Sequence, residues 1–120
     1  DGIQLRLYPI ESVLAEKLQT ILARAENNSR SKDFYDIYTI MRNKEKRVDI
    51  EVLKVSVDLT FAYRKTHMLK NTALDIVCQI NNNDEIKSRW NRYQKKNPYA
   101  KDIGFDNIIM EIKRLVELVL

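Results

Sequence analysis

The C-terminal stretch sets the strongest condition on this chain. From Asp106 onward, Ile108, Ile109, Ile112, Leu115, Val116 and Val119 recur at helical spacing. The pattern is an amphipathic helix with one continuous apolar side. That side needs a core to cover it, and the rest of the chain must supply one. A length of 120 residues allows a single domain with one core. Only two glycines and two prolines are present, too few backbone breakers for the many turns of an all-β fold. The expected class is therefore mainly α, a bundle of five to six helices.

Gln4 to Tyr8 alternates polar and apolar side chains before Pro9, which predicts a short N-terminal extended strand. From Ile10 the period becomes helical through about residue 26, with Val13, Leu14, Leu18, Ile21, Leu22 and Ala25 on one stripe. Lys17 and Arg24 lie two turns apart on another face, with Thr20 between them. Asn27-Asn28-Ser29 stops this helix, because such side chains bond to their own backbone. Ser29 or Ser31 then caps a second helix to about Asn43, buried through Phe34, Ile37, Tyr38 and Met41.

After a charged link from Lys44 to Arg47, Asp49 is placed to cap a third helix to about Arg64. Leu53, Val55, Val57, Leu59, Phe61 and Tyr63 also alternate as a strand would. A lone strand in a helical domain has no partner, which favours helix. Thr72 to Ile80 is expected to form a turn or two of helix with Cys78 packed inside. Asn83, with Asp84 and Glu85 after it, starts a helix to about Lys96 whose apolar members are Ile86, Trp90 and Tyr93. Pro98 ends it.

The single Cys78 excludes an internal disulfide and a cysteine-based zinc site, and the single His67 leaves no histidine pair. One cysteine fits a reducing, cytoplasmic setting. No apolar run reaches membrane-spanning length, so no membrane partner is expected. The formal net charge of +4 permits contact with nucleic acid or nucleotides without demanding it.

Chemistry-bearing residues concentrate in Arg30-Ser31-Lys32-Asp33-Phe34-Tyr35-Asp36, at the junction of the first two helices. Asp33 lies in a first helical turn, where the dipole favours negative charge, and Asp36 projects on the same side three residues later. The residues alone read equally as a surface ion-pair set, with Lys32 bonding to Asp36 for a few tenths of a kcal/mol. A second basic region, Lys87 to Lys101, interleaves cations with Trp90, Tyr93 and Tyr99. It reads either as a strip for single-stranded RNA or as the wet side of a helix with its aromatics in the core.

Ala15-Glu16-Lys17-Leu18, followed by Arg30-x-Lys32-Asp33-x-x-Asp36, resembles the later motifs of the nucleotidyltransferase toxin family of the AbiEii/AbiGii type. That family belongs to bacterial abortive-infection and toxin–antitoxin systems. Arg89-Trp90-Asn91-Arg92-Tyr93 and the final helix look like the family's tail. The resemblance covers nearly the whole chain but only the C-terminal half of the family's pattern. It implies transfer of a nucleotide from a nucleoside triphosphate with Mg2+, to tRNA ends or other RNA in some members, and a cognate antitoxin as partner.

By matched position, Lys17 would hold triphosphate oxygens with help from Arg24. Asp33 would be the functional acid, Arg30 and Lys32 would add positive potential, and Asp36 would buttress one of them. The Gly-Ser turn with Asp-x-Asp that holds the family's metal ions is missing, and Gly2 and Gly104 stand in other contexts. Because in-line nucleotidyl transfer depends on such ions, these residues are expected to be inactive alone and to bind no metal. The chain starts without a methionine, and the expectation is the C-terminal portion of a larger nucleotidyltransferase. The alternative is a non-catalytic helical module that binds nucleic acid or a protein.

Overall fold

The computed structural model describes residues 9–25, 27, 30–43 and 47–120. Within them lie six α-helices: α1 (Ile10–Arg24), α2 (Ser31–Asn43), α3 (Ile50–Tyr63), α4 (Lys70–Asn81), α5 (Asp84–Lys96) and α6 (Phe105–Val119). A short 3-10 turn, Pro98–Ala100, joins α5 to α6. The fold is mainly α. The expected strand at Gln4 to Tyr8, the Ser29 cap and most of the Lys44–Arg47 link lie outside the described residues.

The apolar stripe of α6 is covered as its pattern demands. Ile108, Ile112, Leu115 and Val116 are fully buried, and α6 packs against α2, α4 and α3. Helix α1 is the second hub, placed against α3 and α2, with Leu14, Leu18, Ile21 and Leu22 buried. The large apolar side chains of both helices meet in one core with Phe34, Ile37, Leu53, Val57 and Trp90.

Local signals start the helices where the sequence places them. The Asp49 carboxylate accepts from the Val52 N–H at 3.1 Å, capping α3, and the Asn83 side chain accepts from the Ile86 N–H at 2.9 Å, capping α5. Each cap satisfies one of the unpaired amides of a first turn. The α1–α3 packing is fastened at its margin by half-buried and exposed polar bonds. The Asp49 N–H donates to Glu11 at 2.8 Å, and Arg64 donates to Gln19 at 2.7 Å and to Thr20 at 3.1 Å.

The alternation from Leu53 to Tyr63 is helical. Leu53, Val57 and Phe61 recur every four residues and enter the core, while Val55, Leu59 and Tyr63 face out. Two expectations need correction. Helix α4 spans twelve residues from Lys70 rather than a turn or two from Thr72. Its buried row is Ala73, Val77 and Ile80, and the helix packs against α6. Cys78, one step round from that row, is exposed rather than packed.

Candidate functional site

Lys17 lies in the middle of α1, on a side turned toward the start of α2. The helical register of α1 sends Leu14, Leu18 and Ile21 into the core and leaves Lys17 at its edge. Its ammonium donates to Asp33 Oδ1 at 2.9 Å and stands 3.2 Å from Asp36 Oδ2. The first two turns of α2 therefore present both carboxylates, three residues apart on one side, to a single cation of the neighbouring helix.

The cluster continues outward. Arg30 Nε approaches the other Asp33 oxygen at 3.4 Å, and Lys32 donates to Asp36 at 2.9 Å. Asp33 is only 3% exposed, whereas Arg30 and Lys32 are exposed. A buried carboxylate needs such partners, since an unpaired charge away from water is strongly disfavoured. Partial burial pulls the Lys17 pKa down, but its bonds with Asp33 and Asp36, and their charge, outweigh this and hold it above the usual lysine value. Lys17 is thus a fixed, permanently charged group at neutral pH. Arg24 lies two turns along α1 with its side chain exposed.

Of the six residues singled out in the sequence, five form one connected group: Lys17, Arg30, Lys32, Asp33 and Asp36. The periodicity did not reveal a neighbouring aromatic group. Tyr35 of α2 meets Tyr99 edge-on at 4.9 Å, and the hydroxyls of Tyr93 and Tyr99 are 2.7 Å apart. Burial, the bond with Tyr99, and the charge of Tyr99, Asp36 and Tyr35 push the Tyr93 phenol well above its usual range. The tyrosines thus adjoin the carboxylate side of the cluster. The interleaving of aromatics and cations after Lys87 is the sequence signal for Tyr93 and Tyr99, and Tyr35 stands inside the Arg30–Asp36 cluster.

That basic strip separates into a core part and a wet part. Trp90 is buried, with its indole N–H donating to the Ile103 carbonyl at 3.0 Å and its ring stacked on Tyr93 at 5.3 Å. Arg89 and Arg92 approach Glu85 at 3.4 Å and 3.6 Å. Lys95, Lys96 and Lys101 are exposed.

A catalytic metal ion does not fit these residues. Among the described residues no group of three or more histidine, cysteine or acidic side chains could hold one. The oxygens of Asp33 and Asp36 accept instead from Lys17, Arg30 and Lys32. No helix is long and apolar enough to cross a membrane among the described residues.

A family model described as the nucleotidyl transferase AbiEii toxin of a type IV toxin–antitoxin system matches residues 1–111. No curated protein and no solved structure matches the chain.

Proposed function

The chain belongs to the AbiEii nucleotidyl transferase toxin family of type IV toxin–antitoxin systems, and from that premise we propose that it supplies the substrate-holding half of a nucleotidyltransferase site. The observation that carries this reading is the Lys17 ammonium, held between Asp33 at 2.9 Å and Asp36 at 3.2 Å. An ammonium has three N–H bonds. Two are directed to the carboxylates, and with the side chain 29% exposed the third is available to a phosphate oxygen arriving from solvent.

Asp33 then acts by orientation. Its buried carboxylate fixes where the Lys17 charge stands, so no reorganisation is needed when a triphosphate docks. Asp36 shares Lys17 with Asp33 and anchors Lys32. Arg24, Arg30 and Lys32 at the exposed margin give the approach a positive potential, which draws in polyphosphate or an RNA end. Mg2+ would be held elsewhere, on a domain with a Gly-Ser turn and an Asp-x-Asp pair. The helical chain is then the C-terminal portion of the complete enzyme, at work in the cytoplasm where nucleoside triphosphates and tRNA are found. Family membership brings a cognate antitoxin as a further partner.

The test is to incubate the full-length protein with labelled nucleoside triphosphates, Mg2+ and total RNA. Label is expected to enter RNA and to be lost with Lys17→Ala. Retained transfer by that variant removes Lys17 from the site. RNA binding without transfer by the wild type favours the non-catalytic module.

A further inference from the structure

Two hollows meet beside α5. One, of about 390 Å³, is lined by Asn91, Gln94, Lys95 and Lys101. The other, of about 320 Å³, has Lys87, Asn91, Gln94 and Asp106 in its lining. Because they share Asn91 and Gln94, they run into one groove. Lys87, Asn91 and Lys95 recur every four residues, which lines them up along one side of the helix. The cations of α5 are thereby sorted. Arg89 and Arg92 approach Glu85, whereas Lys87, Lys95 and Lys101 form no ion pair among the described residues. Asp106 is the one acid lining either hollow among the described residues, so the groove is net positive. Two residues before Lys101 stands Tyr99, 56% exposed. Its ring meets Tyr35 edge-on and its hydroxyl bonds with that of Tyr93. A ring already fixed in this way gives up little freedom when something stacks on it.

We propose that the groove carries the sugar–phosphate backbone of a single-stranded RNA, with one base stacked on Tyr99. Lysine ammoniums without a carboxylate partner meet phosphates as point charges. The Asn91 amide can bond to a phosphate or a sugar, which fixes the strand without reading its sequence. Cations along a groove, with an exposed aromatic ring beside them, are the parts by which proteins hold single strands of any sequence. A duplex keeps its bases stacked within the helix and offers none to Tyr99. Tyr35, which touches the Tyr99 ring, directly precedes Asp36 of the Lys17 cluster. The strand is thereby led toward the Lys17 ammonium. RNA is chosen over DNA on the strength of the function proposed above, which makes RNA the acceptor, and the groove gives that acceptor its path.

Fluorescence anisotropy tests this, with a labelled single-stranded RNA of about twelve nucleotides titrated with the full chain. Salt is varied between about 50 mM and about 200 mM. No triphosphate or Mg2+ is added, so binding can hold where transfer fails, and fail where transfer holds. Contacts from Lys87, Lys95 and Lys101 should give a slope of log affinity on log salt of about −2. Lys95→Ala combined with Lys101→Ala should lower affinity about tenfold and make that slope shallower by about 1.4. Lys113→Ala removes an exposed lysine outside the groove and should do neither. Tyr99→Ala should weaken binding at least about fivefold with the slope unchanged, because the ring neutralises no phosphate. All four residues are exposed, so each variant should keep the wild-type circular dichroism. A wild-type slope in the double lysine variant, an equal effect of Lys113→Ala, an indifferent Tyr99→Ala, or equal affinity for a duplex of the same sequence overturns the proposal.

Discussion

Lys17 of α1 and Asp33 of α2 are joined at 2.9 Å across a helix junction, the cation about one-third exposed and the carboxylate almost completely buried. This asymmetry separates their roles. Asp33→Asn keeps the shape but removes the charge that orients Lys17, and should cost about 1.5–3 kcal/mol of stability, as for a bond to a charged group. Lys17→Ala should lower nucleotide transfer by at least about 100-fold, the scale of a lost transition-state charge contact. Unfolding midpoints in urea, measured beside transfer to RNA by the full-length protein, separate the two effects. Lys17→Ala leaving transfer intact contradicts a phosphate-holding role.

The raised pKa of Lys17 has a definite consequence for pH dependence. A lysine whose folded pKa lies above its unfolded value binds its proton more tightly in the folded state. Its contribution is complete below the ordinary value of 10.5 and is lost as pH rises through the higher folded value. Wild type should therefore exceed Lys17→Met in stability at pH 9, with the gap closing above pH 10.5. Tyr93 also has a raised pKa and titrates in both proteins, so the comparison isolates Lys17. A gap that stays constant to high pH excludes the linkage.

Much of this arrangement can be read from local rules. The α6 stripe, the caps at Asp49 and Asn83 and the helical stop before Arg30 depend on neighbours in sequence, where spacing carries the information. The pairing of Lys17 with Asp33 spans sixteen residues, and only the family motifs hinted at it. The contact of Tyr35 with Tyr93 and Tyr99 arises from α2 meeting α5, which no periodicity encodes. Cys78 shows a different limit. Its residue type favours burial, but the register set by Ala73, Val77 and Ile80 turns it outward.

Lys65 closes α3 in a conformation that suits another residue. Its φ is 54°, and two reversed bonds surround it: the Lys65 N–H donates to the Ala62 carbonyl at 3.0 Å, and the Thr66 N–H to the Phe61 carbonyl at 2.7 Å. This is the Schellman arrangement, with its left-handed position held by lysine where glycine is preferred. Lys65→Gly should relieve the Cβ clash and stabilise the chain by about 1 kcal/mol, after the added freedom of the unfolded state is deducted. A rise in the urea midpoint with unchanged slope is the expected reading. A fall would mean that the lysine side chain contributes more than its backbone costs.

Trp90 and Gln94 together hold the segment that places Tyr99 beside Tyr35. The Trp90 indole donates to the Ile103 carbonyl at 3.0 Å, and Gln94 Nε2 lies within 3.1 Å of the carbonyls of Ala100 and Lys101 and 3.0 Å of that of Ile103. Trp90→Phe retains most of the buried ring and leaves Ile103 the Gln94 donor, so its cost should be only about 1–2 kcal/mol. Trp90→Ala opens a cavity beneath α5 and should cost about 3–5 kcal/mol. Gln94→Ala removes a donor shared by these carbonyls with little loss of apolar packing, while Ile103 keeps the Trp90 indole and Ala100 keeps the Ile103 N–H. Its effect should therefore appear less in the unfolding midpoint than in faster amide exchange at Ala100, Lys101 and Ile103, whose N–H groups bond within this same turn. Unchanged exchange there would place the hold on Tyr99 in the tyrosine ring contacts rather than in Gln94.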